Sequence, residues 1–181
     1  MRRMGETPIK FLQAANGKVA FIDLEASGLG STSWPVEVGW AFETGEPVSM
    51  LIKPDETWSD QSWDDEAERL HRLSRGELER DGVAPREACS RMNRALADAV
   101  VHSDAPDWDG FWLFRLFSAA RARQEFKLHD YSRLVRPLAG ARAQALLAEA
   151  SRIAPRQHRV APDIRHLQTF YRLASQSAAA D

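Results

Sequence analysis

The sequence predicts an α/β protein: a five-stranded mixed sheet flanked by helices. Three observations carry this. Three apolar stretches follow one another in the first third, joined by short, turn-forming connections, which implies an antiparallel meander. Helical patterns come next, and the second half then alternates strand, helix, strand and helices, which implies crossover connections and parallel strands.

Each element has its own signal. Residues 1–17 read as a short basic lead-in, closed by the turn pair Asn16-Gly17. Val19-Ala20-Phe21-Ile22-Asp23-Leu24-Glu25 reads as a buried strand ending in acids, with Ser27-Gly28-Leu29-Gly30-Ser31 as the loop after it. A second strand is expected over 36–43, a hairpin turn at Thr44-Gly45-Glu46-Pro47, and a third strand over 48–53. Helices are expected over 61–73, 74–80 and 84–97, the last with Pro85 in its first turn. Ala99-Val100-Val101-His102 is the fourth strand, followed by a polar loop at 103–107 and an aromatic-rich helix over 108–121. Phe126-Lys127-Leu128-His129 is the fifth. A helix over 141–153 ends before Pro155, and Pro162 starts a last helix reaching about Leu173. The expected organisation is one domain over 18–174 with a frayed tail at 175–181.

Composition sets limits on function. A chain of 181 residues with 44% hydrophobic and 28% charged residues can build one sizeable core, which excludes a disordered or collagen-like protein. No apolar run is long enough to cross a bilayer, and Met1-Arg2-Arg3-Met4 does not open a signal peptide, so no membrane partner is expected. Cys89 is the sole cysteine, which excludes an internal disulfide and leaves it without partner thiols for zinc; a cytoplasmic setting is the expectation. A net charge of −2 argues against a protein that simply coats nucleic acid. Its distribution is uneven: seven acids against one base lie between Asp55 and Arg69, and eleven bases against four acids between Arg121 and Arg172. A basic third in an acidic chain either attracts a polyanion to one face or forms a solvated helix face.

The end of the first strand is the most informative place. Asp23 and Glu25 point to one face, about 7 Å apart, because side chains alternate along a strand. Two like charges near an apolar core repel each other and resist desolvation; a proton or a cation between them relieves both problems. Carboxylate oxygens suit hard divalent ions such as Mg²⁺ or Mn²⁺. A strand emerging into solvent is the other reading of the same pair. Gly28 and Gly30 allow a second molecule to approach the loop, where Leu29 either wedges against a nucleobase or tucks into the core. Glu37, on the second strand, either orders this corner or is an edge-strand charge.

Phe21-Ile22-Asp23-Leu24-Glu25-Ala26-Ser27-Gly28-Leu29, followed by Val36-Glu37-Val38-Gly39-Trp40-Ala41, resembles the first motif of the DnaQ-like 3′→5′ exonucleases, in their DEDDh branch. Ser103-Asp104-Ala105-Pro106-Asp107-Trp108-Asp109-Gly110 is similar to the second motif, and His158-Arg159-Val160-Ala161-Pro162-Asp163 to the third. Asp104, Asp107 and Asp109 compete for the second-motif acid. Asp109 is preferred because the family usually places an aromatic residue before it and an apolar stretch after it, as Trp108 and Phe111-Trp112-Leu113 do here. The chain departs from the family at Ala105, where an Asn is common. The resemblance spans about residues 18–174 and implies a ribonuclease H-like fold.

The same resemblance implies a mechanism. Two divalent ions about 4 Å apart would clamp the attacking and leaving oxygens of a phosphodiester. Asp23 would lie between them, Glu25 and Asp163 would complete one site, and Asp109 would support the other. His158 would be the general base toward the attacking water, since imidazoles titrate near neutrality. Pro162 sets the last helix so that Asp163 stands near its N-terminus, where the dipole favours a carboxylate. Candidate contacts to a single-stranded DNA or RNA 3′ end are Leu29, Trp34, His71, Trp108 and Arg159, with Trp34 the preferred stacking residue and Arg159 and Arg165 candidates for phosphate. The alternatives are an oligoribonuclease-like enzyme acting on short RNA, and a binding module of the same fold without catalysis. Relatives include dimers, so a homodimer is among the implied states.

Overall fold

The computed structural model describes residues 18–180; the lead-in with its Asn16-Gly17 turn, and Asp181, lie outside the described residues. β1 (Lys18–Ala26) takes the middle of the sheet because it is apolar on both faces, with Ala20, Phe21 and Ile22 fully buried. β2 (Pro35–Phe42) pairs antiparallel with it, setting Asp23 opposite Gly39 and Glu25 opposite Glu37, and β3 (Val48–Leu51) continues the meander. Ile52 adds a single parallel bridge to Val83 in place of the expected end of the third strand.

Three short helices follow: α1 (Asp65–His71), α2 (Arg75–Asp81) and α3 (Pro85–Leu96). Their starts are written in the sequence. The Asp64 carboxylate accepts the Glu66 N–H, Ser74 and Glu77 form a reciprocal capping box, and Pro85 stands in the first turn of α3. The helix expected over 61–73 is broken at Trp63: a 3₁₀ turn at Asp60–Ser62 precedes α1, which ends on Arg72 in the left-handed region.

β4 (Ala99–Ser103) lies parallel to β1, α4 (Pro106–Ala119) follows it, and β5 (Leu128–Asp130) lies parallel to β4. Then come α5 (Tyr131–Ala139), a 3₁₀ turn at Gly140–Arg142, α6 (Ala143–Ile153) and α7 (Val160–Ala180). The sheet order β3-β2-β1-β4-β5 is the five-stranded mixed sheet that the sequence predicts. One face packs Ile22 and Leu24 against Met92, Leu96, Leu113 and Leu116 of α3 and α4. The other packs Phe21 against Tyr131, Leu134, Leu146, Ile164 and Leu167 of α5 to α7.

Two further segments differ from expectation. α5 is an additional helix. Asp130 caps it by accepting the Ser132 N–H at 2.7 Å, and Tyr131, Leu134, Val135 and Ala139 bury one stripe, while Pro137 sits in its final turn on the exposed side. The tail from 175 is not frayed through the described residues: α7 continues to Ala180, with Ala174 and Ser177 buried and Arg142 donating to Ser177 Oγ at 2.9 Å.

Candidate active site

β1 and β4 are parallel, so their carboxyl ends open on one edge of the sheet, and α4 begins just beyond β4. Crevices outside the carboxyl ends of strands are where α/β sheets generally present ligand groups. Asp23 and Glu25 lie on the β1 face that meets α7, and the close approach of that helix depends on Gly39. A Cβ there would stand 2.2 Å from the Val48 carbonyl oxygen and 2.6 Å from Val160 Cγ1. Asp163, in the first turn of α7, is buried, and its Oδ1 accepts the Gln157 N–H at 2.7 Å. His158 lies in the exposed connection before α7 with φ of +52°, a conformation uncommon outside glycine.

These elements bring three groups together. One ligand atom each from Glu25, His158 and Asp163 lies within 4.8 Å of the other two. Asp23 and Asp109 are buried and lie within electrostatic reach of it: Asp109 acts on both Asp23 and Glu25, and Glu25 and Asp163 act on Asp23. Among the three candidates for the second-motif acid, Asp109 is the buried one, 1% exposed; Asp104 and Asp107 are exposed. The Ser103 hydroxyl donates to Asp109 Oδ2 and also accepts the Ala105 N–H at 3.0 Å.

The carboxyl groups are held well away from their ordinary state. Burial, then the charges of Asp109, Glu25, Asp163 and Asp104, raises Asp23 far above the usual carboxylate range. Burial and the Asp163 charge push Glu25 up to about 8, against a lowering influence from Arg159. Burial also pushes Asp109 up to about 8, although the Ser103 hydrogen bond opposes it. Asp23 Oδ2 is buried with no hydrogen-bond partner. A buried carboxylate oxygen left unpaired among like charges is costly for folding and is what a bound cation would satisfy. Oxygen donors with one imidazole fit a divalent ion, so the group can hold a metal. The Arg156 guanidinium is bonded to Asp104 and stands 4.0 Å from Asp163. Sequence reasoning did not single out Arg156 or Ser103; their proximity in sequence to His158 and Asp109 was the available signal.

The expected substrate contacts divide. Leu29 is 68% exposed and Trp108 40% exposed, the latter stacked at 5.5 Å on Trp112, whose indole N–H donates to Ser33 Oγ at 2.9 Å and ties α4 to the loop after β1. Trp34 is corrected: it is 1% exposed, stacked at 5.3 Å on Trp58, and cannot meet a base. The loop after β1 turns its one tryptophan inward because the chain from Trp58 to Trp63 folds over it. His71 is also buried; its Nδ1 accepts the Leu73 N–H at 3.0 Å, its Nε2 has no partner, and burial lowers its pKa. Arg159 is engaged by Glu37 in two hydrogen bonds, at 2.8 and 3.1 Å, and Arg165 by Glu46 at 2.7 Å. A hollow of about 600 Å³ beside Arg156 has Tyr131, Val135, Leu147 and Phe170 along its walls and Arg136 on its rim.

The chain matches no protein-family model, and no curated protein matches it in sequence. Solved structures do match. An exonuclease I aligns with a TM-score of 0.71 at 12% identity, over 89% of this chain and 41% of that one. Exonuclease I of E. coli in complex with a dA16 oligonucleotide aligns with a TM-score of 0.67 at 13% identity, over 89% and 41%. A moderately thermophilic exonuclease I from Methylocaldum szegediense gives 0.66 at 17% identity, over 88% and 40%. This chain thus spans about two fifths of the length of the proteins it matches. Among the described residues no helix is long and apolar enough to cross a membrane. The sheet order, the helices on its two faces and these alignments together establish the ribonuclease H-like fold that exonuclease I carries.

Proposed function

We propose that this chain is a 3′→5′ exonuclease of the DnaQ-like DEDDh type, which hydrolyses the terminal phosphodiester of single-stranded nucleic acid and releases nucleoside 5′-monophosphates. The observation that carries the reading is the gathering of Asp23, Glu25, Asp109, His158 and Asp163, from four separate elements and connections, at the carboxyl end of β1. A pure binder of a polyanion gains nothing from buried acids facing it.

Asp23, Glu25, Asp109 and Asp163 would hold two Mg²⁺ or Mn²⁺ ions, which when bound neutralise the phosphate and lower the pKa of the attacking water. The chain's own groups do the rest. His158, at the exposed side of the triplet, accepts the proton of the attacking water. The Gln157 N–H fixes the rotamer of Asp163, and the Ser103 hydroxyl fixes that of Asp109. Leu29 and Trp108 present apolar surface to terminal bases, and Arg136 and Arg156 draw the phosphate chain toward the corner. The binding of single-stranded DNA described for E. coli exonuclease I supports this class of substrate.

The test is release of mononucleotides from an end-labelled single strand with Mg²⁺ or Mn²⁺, compared across DNA, long RNA and dinucleotides. Activity that survives EDTA, or Asp23→Asn, overturns the mechanism. Tight strand binding without turnover would identify a non-catalytic module instead.

A further inference from the structure

We infer that Glu37 and Arg159 form a clamp that positions the proposed general base His158 and the proposed metal ligand Asp163 against Glu25, and that Arg159 is therefore a positioning residue and not a phosphate contact; this rests on the reading above. The antiparallel register places Glu37 directly opposite Glu25 on the same sheet face, an arrangement in which two carboxylates repel. The two are treated differently. Glu37 is 2% exposed with both oxygens engaged: Oε2 accepts Arg159 Nε–H at 2.8 Å and the Val160 N–H at 3.2 Å, and Oε1 accepts Arg159 Nη2–H at 3.1 Å. Glu25 makes no hydrogen bond or ion pair among the described residues and is left to a cation.

The clamp grips the chain at the place that matters. Arg159 follows His158, whose positive φ has to be held by its surroundings, and Val160 is the first residue of α7, which carries Asp163. A buried anion receiving the first N–H of the helix also suits its dipole. One carboxylate on β2, 122 residues away in sequence, thus ties His158 and Asp163 to the strand position facing Glu25. The placement of His158 and Asp163 relative to Glu25 depends on it.

The experiment compares the full chain with Glu37→Gln, Arg159→Met and the double variant. Mn²⁺ binding is read from free-ion EPR without substrate, and kcat and KM are measured on a single strand at several salt concentrations. Outer partners of metal ligands typically change affinity by about 10–100-fold. Each single variant should weaken Mn²⁺ binding about tenfold and lower kcat. KM and its salt dependence should hold, and the double variant should be no worse than the weaker single. Unchanged Mn²⁺ affinity in Arg159→Met overturns the clamp, as does a raised KM with a salt slope reduced by about one, the signature of a lost phosphate contact. Should Glu37→Gln fail to fold, Arg159→Lys keeps one donor toward Glu37 and should restore part of the Mn²⁺ affinity lost in Arg159→Met; no restoration overturns the clamp. A wild-type chain that binds no Mn²⁺ sinks the parent reading instead, so the two failures are distinguishable.

Discussion

Within nine residues, β1 changes from an apolar, fully buried stretch to one whose acids are poorly satisfied. Its first half puts Ala20, Phe21 and Ile22 at zero exposure between two apolar layers. Its second half carries Asp23 and Glu25 into the same interior edge, raised by burial and mutual repulsion, one oxygen of Asp23 unpaired. The strand geometry is continuous across the change. The first half holds the sheet together, and the second uses that rigidity to keep charges where they would not stay on their own.

Substitutions at neighbouring positions should separate these roles. Asp23→Asn should lower mononucleotide release by on the order of 10³-fold. It should also raise the melting temperature in EDTA, because it removes a carboxyl group whose ionised form is disfavoured by burial and the neighbouring acids. Ile22→Ala, one residue away, should do the reverse: a loss of about 3 kcal/mol in urea unfolding from the cavity it leaves, with kcat per folded molecule unchanged.

The comparison has a pH form as well. Glu25 and Asp109 sit near 8 in the folded chain, against about 4.5 and 3.8 when unfolded, so the folded state binds more protons between those values. The contribution of these two groups to metal-free stability is therefore fully present below about pH 4 and lost as pH rises through 8. Melting temperatures in EDTA should fall from pH 6 to pH 8, and Mn²⁺ should restore more at pH 8 than at pH 6. A flat profile in EDTA would contradict the buried-acid account. The last comparison concerns tryptophans. Trp108→Ala should raise KM for a single strand about tenfold, the value of one lost stacking contact, with little change in melting temperature. Trp34→Ala should leave KM alone and destabilise the fold, because its partner is Trp58.

Much of this was legible in the amino-acid order because the signals were local. Strand alternation placed Asp23 and Glu25 on one face, the proline at 85 marked a helix start, and the meander followed from short connections. The errors share a cause. No helix is expected over 131–139, yet α5 forms there and tolerates Pro137 in its exposed last turn because the buried stripe of Tyr131, Leu134 and Val135 outweighs one lost hydrogen bond. The segment from 175 reads as a weak tail, yet Ala174 and Ser177 are covered by neighbours, which extends α7. Trp34 beside a glycine-rich loop reads as exposed, yet two other tryptophans bury it.

What the sequence determined by itself is the kind of sheet and the inventory of acids and imidazole, since both follow from periodicities and spacings of a few residues. Only the tertiary structure decided which of Asp104, Asp107 and Asp109 turns inward, that Arg159 answers Glu37, and which aromatic rings face solvent. Those outcomes depend on contacts between segments up to 122 residues apart, where desolvation and the pairing of charges are settled by whichever side chains the packed sheet and helices leave as neighbours.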